Sequence, residues 1–298
     1  MPGSARWFSP AFKRRARSIS TAIAWNRGPD FLVVGAEKAG TTALFRYLSR
    51  HPRLTSSVVK ETYFFSPEAF RGWNHNPEYP FYDRLKNEAF DPVPRRWARR
   101  WYHEQFPVPR PGRFGLRFEA TPGYLYYPLT PRRIHAYRPG MKLIALLRDP
   151  VERAYSAWNM FHRIADPEHV QLRETRDFDH AVREELDQID RIPLTAGRDY
   201  VRRGLYHAQL RRYLQYFPGR QLHLVHSRDL RDRTKETLDG ICQFLGVEPM
   251  VGDDWPPVTV GTYDSEMAHE TRELLTRFYA PHNKALFNMI GRSFAWQT

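Results

Sequence analysis

The chain has 298 residues, 41% hydrophobic and 14% aromatic, with a formal net charge of +13 and one cysteine. Such a chain can bury a substantial core, roughly three quarters of its unfolded surface by size scaling, so one large domain, alone or with a small appendage, is the expectation. A single cysteine excludes a disulfide framework within the chain, and the positive field favours nucleotides, nucleic acid, acidic glycans or a membrane surface without choosing among them.

The division expected is a basic arm over residues 1–29 and a domain over residues 30–298. The arm contains Arg6, Lys13, Arg14, Arg15, Arg17 and Arg27 and no acid. Trp7, Phe8, Phe12, Ile19, Ile23 and Trp25 are interspersed among them. A basic amphipathic helix on an anionic membrane is one reading, and an arm partly disordered or packed on the domain surface is the blander alternative. No run approaches the ~18 apolar residues of a membrane span, and no uninterrupted apolar core marks a signal peptide. Cys242 sits in the helical pattern of residues 238–245, where a buried thiol is expected. The compartment expected is a reducing cytoplasm, with peripheral membrane contact through residues 1–29.

An apolar run over residues 31–34 predicts a buried strand, followed by a helix whose stripe is Ala43, Leu44, Tyr47 and Leu48. A second strand is expected around residues 57–59. Residues 66–112 read as an irregular insertion rich in aromatics, including Trp73, Tyr79, Phe81 and Tyr82, with a helix near 95–104. Insertions of this kind often carry substrate contacts. A strand over 114–118, a helix over 131–137 and the strongest strand, 141–147, come next. A helix over 150–164 has Asp149 as N-cap, Pro150 at its first position and Glu152 completing a capping box. Helices near 178–189 and 202–217, a strand over 221–225, and helices over 234–245 and 268–290 complete the chain. Alternating strands and helices imply an α/β fold: a P-loop-like, mainly parallel sheet with helices on both faces, in a single domain. Ligands of such sheets bind at the carboxyl ends of strands, where the chemistry-bearing motifs fall.

Three stretches carry chemistry. Val34-Gly35-Ala36-Glu37-Lys38-Ala39-Gly40-Thr41-Thr42-Ala43 is a strand, a glycine-bearing turn and a helix start, which together make a phosphate cradle. Gly35 and Gly40 have the Walker A spacing, but Thr41 and Thr42 follow and the lysine lies inside the loop at Lys38. That displacement argues for a nucleotide whose chemistry is not ATP hydrolysis. A tight βα turn without a ligand is the bland alternative. In the second stretch, Arg148 ends the strong strand and Ser156 lies two helical turns beyond Asp149, a pair suited to one terminal phosphate. The third, Lys60-Glu61-Thr62-Tyr63-Phe64-Phe65, places Glu61 at the end of the second strand. Neighbouring strand ends would bring its carboxylate to the phosphate loop, where it can take a proton from an attacking hydroxyl or amine. A solvated surface charge is the alternative for Arg148 and for Glu61.

Together these stretches resemble the sulfotransferases that use 3′-phosphoadenosine 5′-phosphosulfate (PAPS), in the flavour of the heparan-sulfate enzymes and their bacterial relatives. Residues 35–42 match the family's G-x-x-K-x-G-T-T loop. Arg148, Asp149, Pro150, Arg153, Ala154 and Ser156 match its R-D-P-x-x-R-A-x-S motif. Lys60, Glu61, Phe64 and Phe65 match its K-E-x-x-F-F segment. Weaker similarity runs through residues 119–124, 203–218 and 244–246. The resemblance implies transfer of a sulfonate group from PAPS, as donor co-substrate, to a hydroxyl or amine acceptor, a carbohydrate or glycolipid by family flavour. It implies a 5′-phosphate held by Gly35, Ala39, Gly40, Thr41 and Thr42, with Lys38 neutralising the leaving group. Arg148 and Ser156 would hold the 3′-phosphate, Glu61 would be the general base, and no metal would be needed.

Residues 258–264 lack the basic Lys-Gly-Arg loop and cysteine pair that close over the nucleotide in heparan-sulfate enzymes. Tyr63 stands where the sugar enzymes often have histidine, and His162 is expected to be an ordinary helix histidine. The runner-up enzyme, a P-loop kinase or NTPase, would need lysine just before Thr42 and an acidic Mg²⁺ ligand where Arg148 stands. A basic nucleic-acid-binding protein using the arm and residues 95–101 leaves the two phosphate motifs without a role, and no nucleic-acid partner is expected.

Overall fold

A computed structural model describes residues 27–70, 96–107, 115–165, 173–190, 199–252, 254–256, 263 and 265–296. Trp73, Tyr79, Phe81, Tyr82, residues 1–26 of the arm and most of residues 257–264 therefore lie outside the described residues.

Five parallel strands form one sheet: β1 (Phe31–Gly35), β2 (Leu54–Ser56), β3 (Leu116–Ala120), β4 (Lys142–Leu147) and β5 (Leu222–His226), in the order β2-β3-β1-β4-β5. β1 and β4 read as continuous apolar runs because both faces of a parallel sheet are covered. Phe31, Leu32, Val33 and Val34 and their neighbours Leu143, Ile144 and Leu146 have no exposed surface. The covering helices include α1 (Thr41–Leu48), α2 (Arg96–Glu104), α3 (Thr130–Tyr137), α4 (Pro150–His162), α5 (Phe178–Asp187) and α6 (Tyr206–Leu214). The short α7 (Ser227–Asp232), α8 (Thr234–Leu245) and the long α9 (His269–Ile290) follow. Cys242 is buried in α8, where burial pushes its thiol up to about 11.

The expected elements are present with shifted ends and one substantive difference. β2 lies at Leu54–Ser56, pairing Leu54 with Leu116 and Ser56 with Phe118, rather than at residues 57–59. The chain turns away there: the Ser57 hydroxyl donates to the Val59 carbonyl at 2.6 Å, and Val58 is exposed. Two adjacent valines thus belong to a loop, because register with β3 outranks local β propensity. The residues expected as one helix over 202–217 are a 3₁₀ turn (Arg202–Gly204) followed by α6, and α7 had no separate sequence signal.

The strand order positions the site. From β1 the chain proceeds to β2 and β3 on one side, then crosses to β4 on the other, so a crevice opens where β1 and β4 end. No helix among the described residues is long and apolar enough to cross a membrane.

Candidate active site

The loop after β1 lies in that crevice. Ala36 N–H donates to the Leu146 carbonyl at 2.7 Å, tying the turn to β4, and Ala39 N–H donates to the Ala36 carbonyl at 3.2 Å. Gly35 and Ala39 are buried, whereas Gly40 is exposed at the N-cap of α1 with φ 98°. Only glycine adopts that backbone without a steric cost. No side chain caps the helix. Its first-turn N–H groups, on Thr41 and Thr42, have no acceptor among the described residues, which leaves them to an anion.

Two cations crowd this helix end. The Arg148 guanidinium donates to the Lys38 carbonyl at 3.2 Å and lies 3.7 Å from Glu152. Burial lowers the Lys38 pKa, with Arg148 acting in the same direction, against the pull of Glu37, Tyr263 and Glu61. The Lys38 ammonium makes no hydrogen bond or ion pair among the described residues. Two like charges gathered at a positive, uncapped helix end suit a phosphate or phosphosulfate. No group of three or more metal-ligating side chains occurs among the described residues.

Glu61 reaches the crevice by a different route from the one expected. β2 is not next to β1: β3 lies between them. The loop after β2 therefore crosses the end of β3, where Glu61 N–H donates to the Ala120 carbonyl at 3.0 Å. Its carboxylate is held on both oxygens, by Lys60 on Oε1 and by the Tyr63 hydroxyl on Oε2 at 3.0 Å. Among the described residues, Lys38, Glu61 and Tyr63 are the non-glycine residues with positive φ, at 64°, 69° and 50°. Non-glycine side chains rarely adopt that region, and such strain clusters at functional sites.

Asp149 caps α4 as expected, its carboxylate accepting from Val151 N–H at 2.8 Å and Glu152 N–H at 3.3 Å. The Glu152 side chain, expected to close a capping box, is seen paired with Arg272 at 2.6 Å and Arg148 at 3.7 Å. Ser156 is buried one turn beyond Glu152, and among the described residues no hydrogen bond joins it to Arg148. His162 stacks on Trp158 and faces the Glu174 carbonyl at 3.0 Å, in keeping with an ordinary helix histidine.

Sequence reasoning missed the supports beneath these groups. Buried Arg203, on the 3₁₀ turn, pairs with Glu37 at 3.0 Å and lies over the Tyr126 ring at 4.4 Å. Fully buried Glu119, on β3, accepts from Thr62 at 2.6 Å, Tyr102 at 2.6 Å, Tyr124 at 2.8 Å and Thr121 at 3.0 Å. This network anchors the segment that carries Glu61. Burial raises the Glu119 pKa and the four hydroxyls act against it. The only sequence signal for either residue was a weak family similarity around positions 119 and 203.

Residues 28–255 match the family model described as a sulfotransferase domain. The chain belongs to that family. Human bifunctional heparan sulfate N-deacetylase/N-sulfotransferase 2 is 29% identical over 96% of this chain, and human N-deacetylase/N-sulfotransferase 3 is 30% identical over 82%. The chain spans about a third of the first relative and a quarter of the second, since the matches cover 32% and 25% of them. A sulfotransferase from Alicyclobacillus acidocaldarius has a similar structure, with 28% identity and a TM-score of 0.66 over 90% of this chain and 98% of that one. As a sulfotransferase domain, the chain is an enzyme of sulfonate transfer, and the kinase alternative is not favoured.

Proposed function

We propose that this sulfotransferase domain takes its sulfonate from PAPS and passes it to a hydroxyl or amine of a carbohydrate or glycolipid. The observation that carries the donor reading is the crowding of Lys38 and Arg148 at an uncapped helix N-terminus. The relatives named as heparan sulfate N-sulfotransferases support a glycan acceptor.

In this reading the backbone of Gly35, Ala39, Gly40, Thr41 and Thr42, with the two threonine hydroxyls, cradles the 5′-phosphate. Lys38 stabilises the charge that develops on the bridging oxygen as the sulfur–oxygen bond breaks. Arg148 and Ser156 hold the 3′-phosphate, which distinguishes this donor from ATP. Glu61 takes the proton as the acceptor's lone pair forms the new bond to sulfur. The rest of the work is positioning, as in phosphoryl transfer. We assign residues 30–298 to the catalytic domain and residues 1–29 to an appendage contacting an anionic membrane surface. Equal flotation of the full chain and a chain lacking residues 1–29 with anionic vesicles would remove that role from the arm.

Thermal stabilisation by 3′-phosphoadenosine 5′-phosphate (PAP), against ATP with Mg²⁺, tests the donor site. A ligand at 100 times its dissociation constant adds about 2.7 kcal/mol. Stabilisation by PAP without metal is expected, and stabilisation by ATP with Mg²⁺ alone would overturn the reading.

A further inference from the structure

We propose that Tyr63 is a positioning residue for the base: its hydroxyl fixes Glu61 Oε2, leaving Oε1 as the oxygen that receives the acceptor's proton. The proposal rests on the reading of Glu61 as general base.

Both carboxylate oxygens are occupied, but by groups of unequal mobility. Lys60, on Oε1, is the adjacent residue, and its ammonium rides on a flexible four-carbon stem. An incoming hydroxyl or amine can displace it, and the released ammonium can remain beside the developing charge. Tyr63 has a rigid ring with two rotatable bonds, and that ring is wedged. It packs against Ala69, Tyr126 and Tyr127, and a Cβ on Gly123 would come within 3.2 Å of its edge. A side chain at position 123 would therefore press on the ring edge.

The donor is also chemically steady. Burial raises the Tyr63 pKa well above the usual phenol value, with Glu61, Glu37 and Tyr127 adding to it and Arg203 opposing. The hydroxyl thus stays protonated and keeps donating while Glu61 carries charge. A carboxylate fixed at one oxygen cannot rotate away as its other oxygen is approached, so the orientation is set before the acceptor arrives.

A coupling experiment tests this. Turnover is measured with PAPS and N-desulfated heparin, and acceptor-free hydrolysis of PAPS serves as a second rate. Tyr63→Phe keeps the ring and removes the oxygen. It is expected to lower kcat about tenfold in both assays, with the KM for the glycan, the affinity for PAP and the melting midpoint unchanged. In a Glu61→Gln background the same change is expected to cost less than twofold. Placing 4-aminophenylalanine at position 63, which restores a donor at the same ring position, is expected to recover most of the rate. Wild-type rates in Tyr63→Phe, or equal losses in both backgrounds, would overturn the proposal. Full activity of Glu61→Gln alone would overturn the base reading instead, so the two failures are distinguishable.

Discussion

The Glu37 carboxylate lies 3.0 Å from the Arg203 guanidinium, joining the phosphate loop to the turn that precedes α6. Arg203 is buried, and burial alone would push its pKa down; Glu37, Tyr127, Tyr126 and Asp199 more than offset that, and the pKa is raised. Removing one partner of a buried pair strands the other, at a cost on the order of 3 kcal/mol. Arg203→Met is expected to lose that much in chemical denaturation and to weaken PAP binding. A loss typical of a surface pair, below about 1 kcal/mol, would show that the pair does not hold the loop.

The chemical step is expected to depend on Glu61 and Lys38 without their fixing the nucleotide's affinity equally. Glu61→Gln should lower turnover by roughly 10²–10⁴ and leave PAP affinity nearly unchanged. Lys38→Ala should also slow the chemical step, because the proposed role of its ammonium is to neutralise the leaving oxygen. Single-turnover kinetics paired with calorimetry measure both; full turnover in either variant would remove that residue from its role.

Discrimination for the 3′-phosphate is expected to reside in Arg148 and Ser156. A charged hydrogen bond is worth about 1.5–3 kcal/mol, so Arg148→Ala should cut PAP affinity by on the order of tenfold to a hundredfold. Affinity for adenosine 5′-phosphate, which lacks the 3′ group, should change much less. Ser156→Ala should show the same pattern more weakly. Equal losses for both nucleotides would place Arg148 elsewhere on the ligand.

Two buried carboxylates give opposite pH slopes. Burial raises Glu185 from 4.5 to about 7, against backbone N–H groups of Arg202 and Val201. Its raised folded value means that its contribution is full below 4.5 and lost as pH rises through 7. Glu174 is also buried, but hydrogen bonds and charge from Arg176 bring it down to about 2, so its contribution holds above 4.5 and is lost as pH falls through 2. Glu185→Gln is expected to flatten stability between pH 4.5 and 7 without changing the acid limb. A slope there as steep as the wild type's would refute the assignment.

The geometry of the stretches we assign to the donor was legible because it is local. Gly35 to Thr42 is one contiguous turn, and Arg148, Asp149 and Pro150 announce a strand end and a helix start by residue type alone. The route of Glu61, the residue we propose as base, was not legible: it was expected from an adjacent strand, and β3 intervenes. Arg203 and Glu119 carry no local signal, since each acts on a partner distant in sequence. A buried charge can be inferred from a sequence only when its partner is near, and here the partners come from the tertiary fold.

Lys38, Glu61 and Tyr63 each hold a side chain on backbone where glycine would rest at lower energy. A selection for heat tolerance alone would therefore reward glycine at Lys38, whose ammonium has no protein partner to lose among the described residues, relieving on the order of 1 kcal/mol. Directed evolution of a hardier variant must screen turnover in every round, because an easy gain in melting point and a quick route to an inert protein are the same substitution.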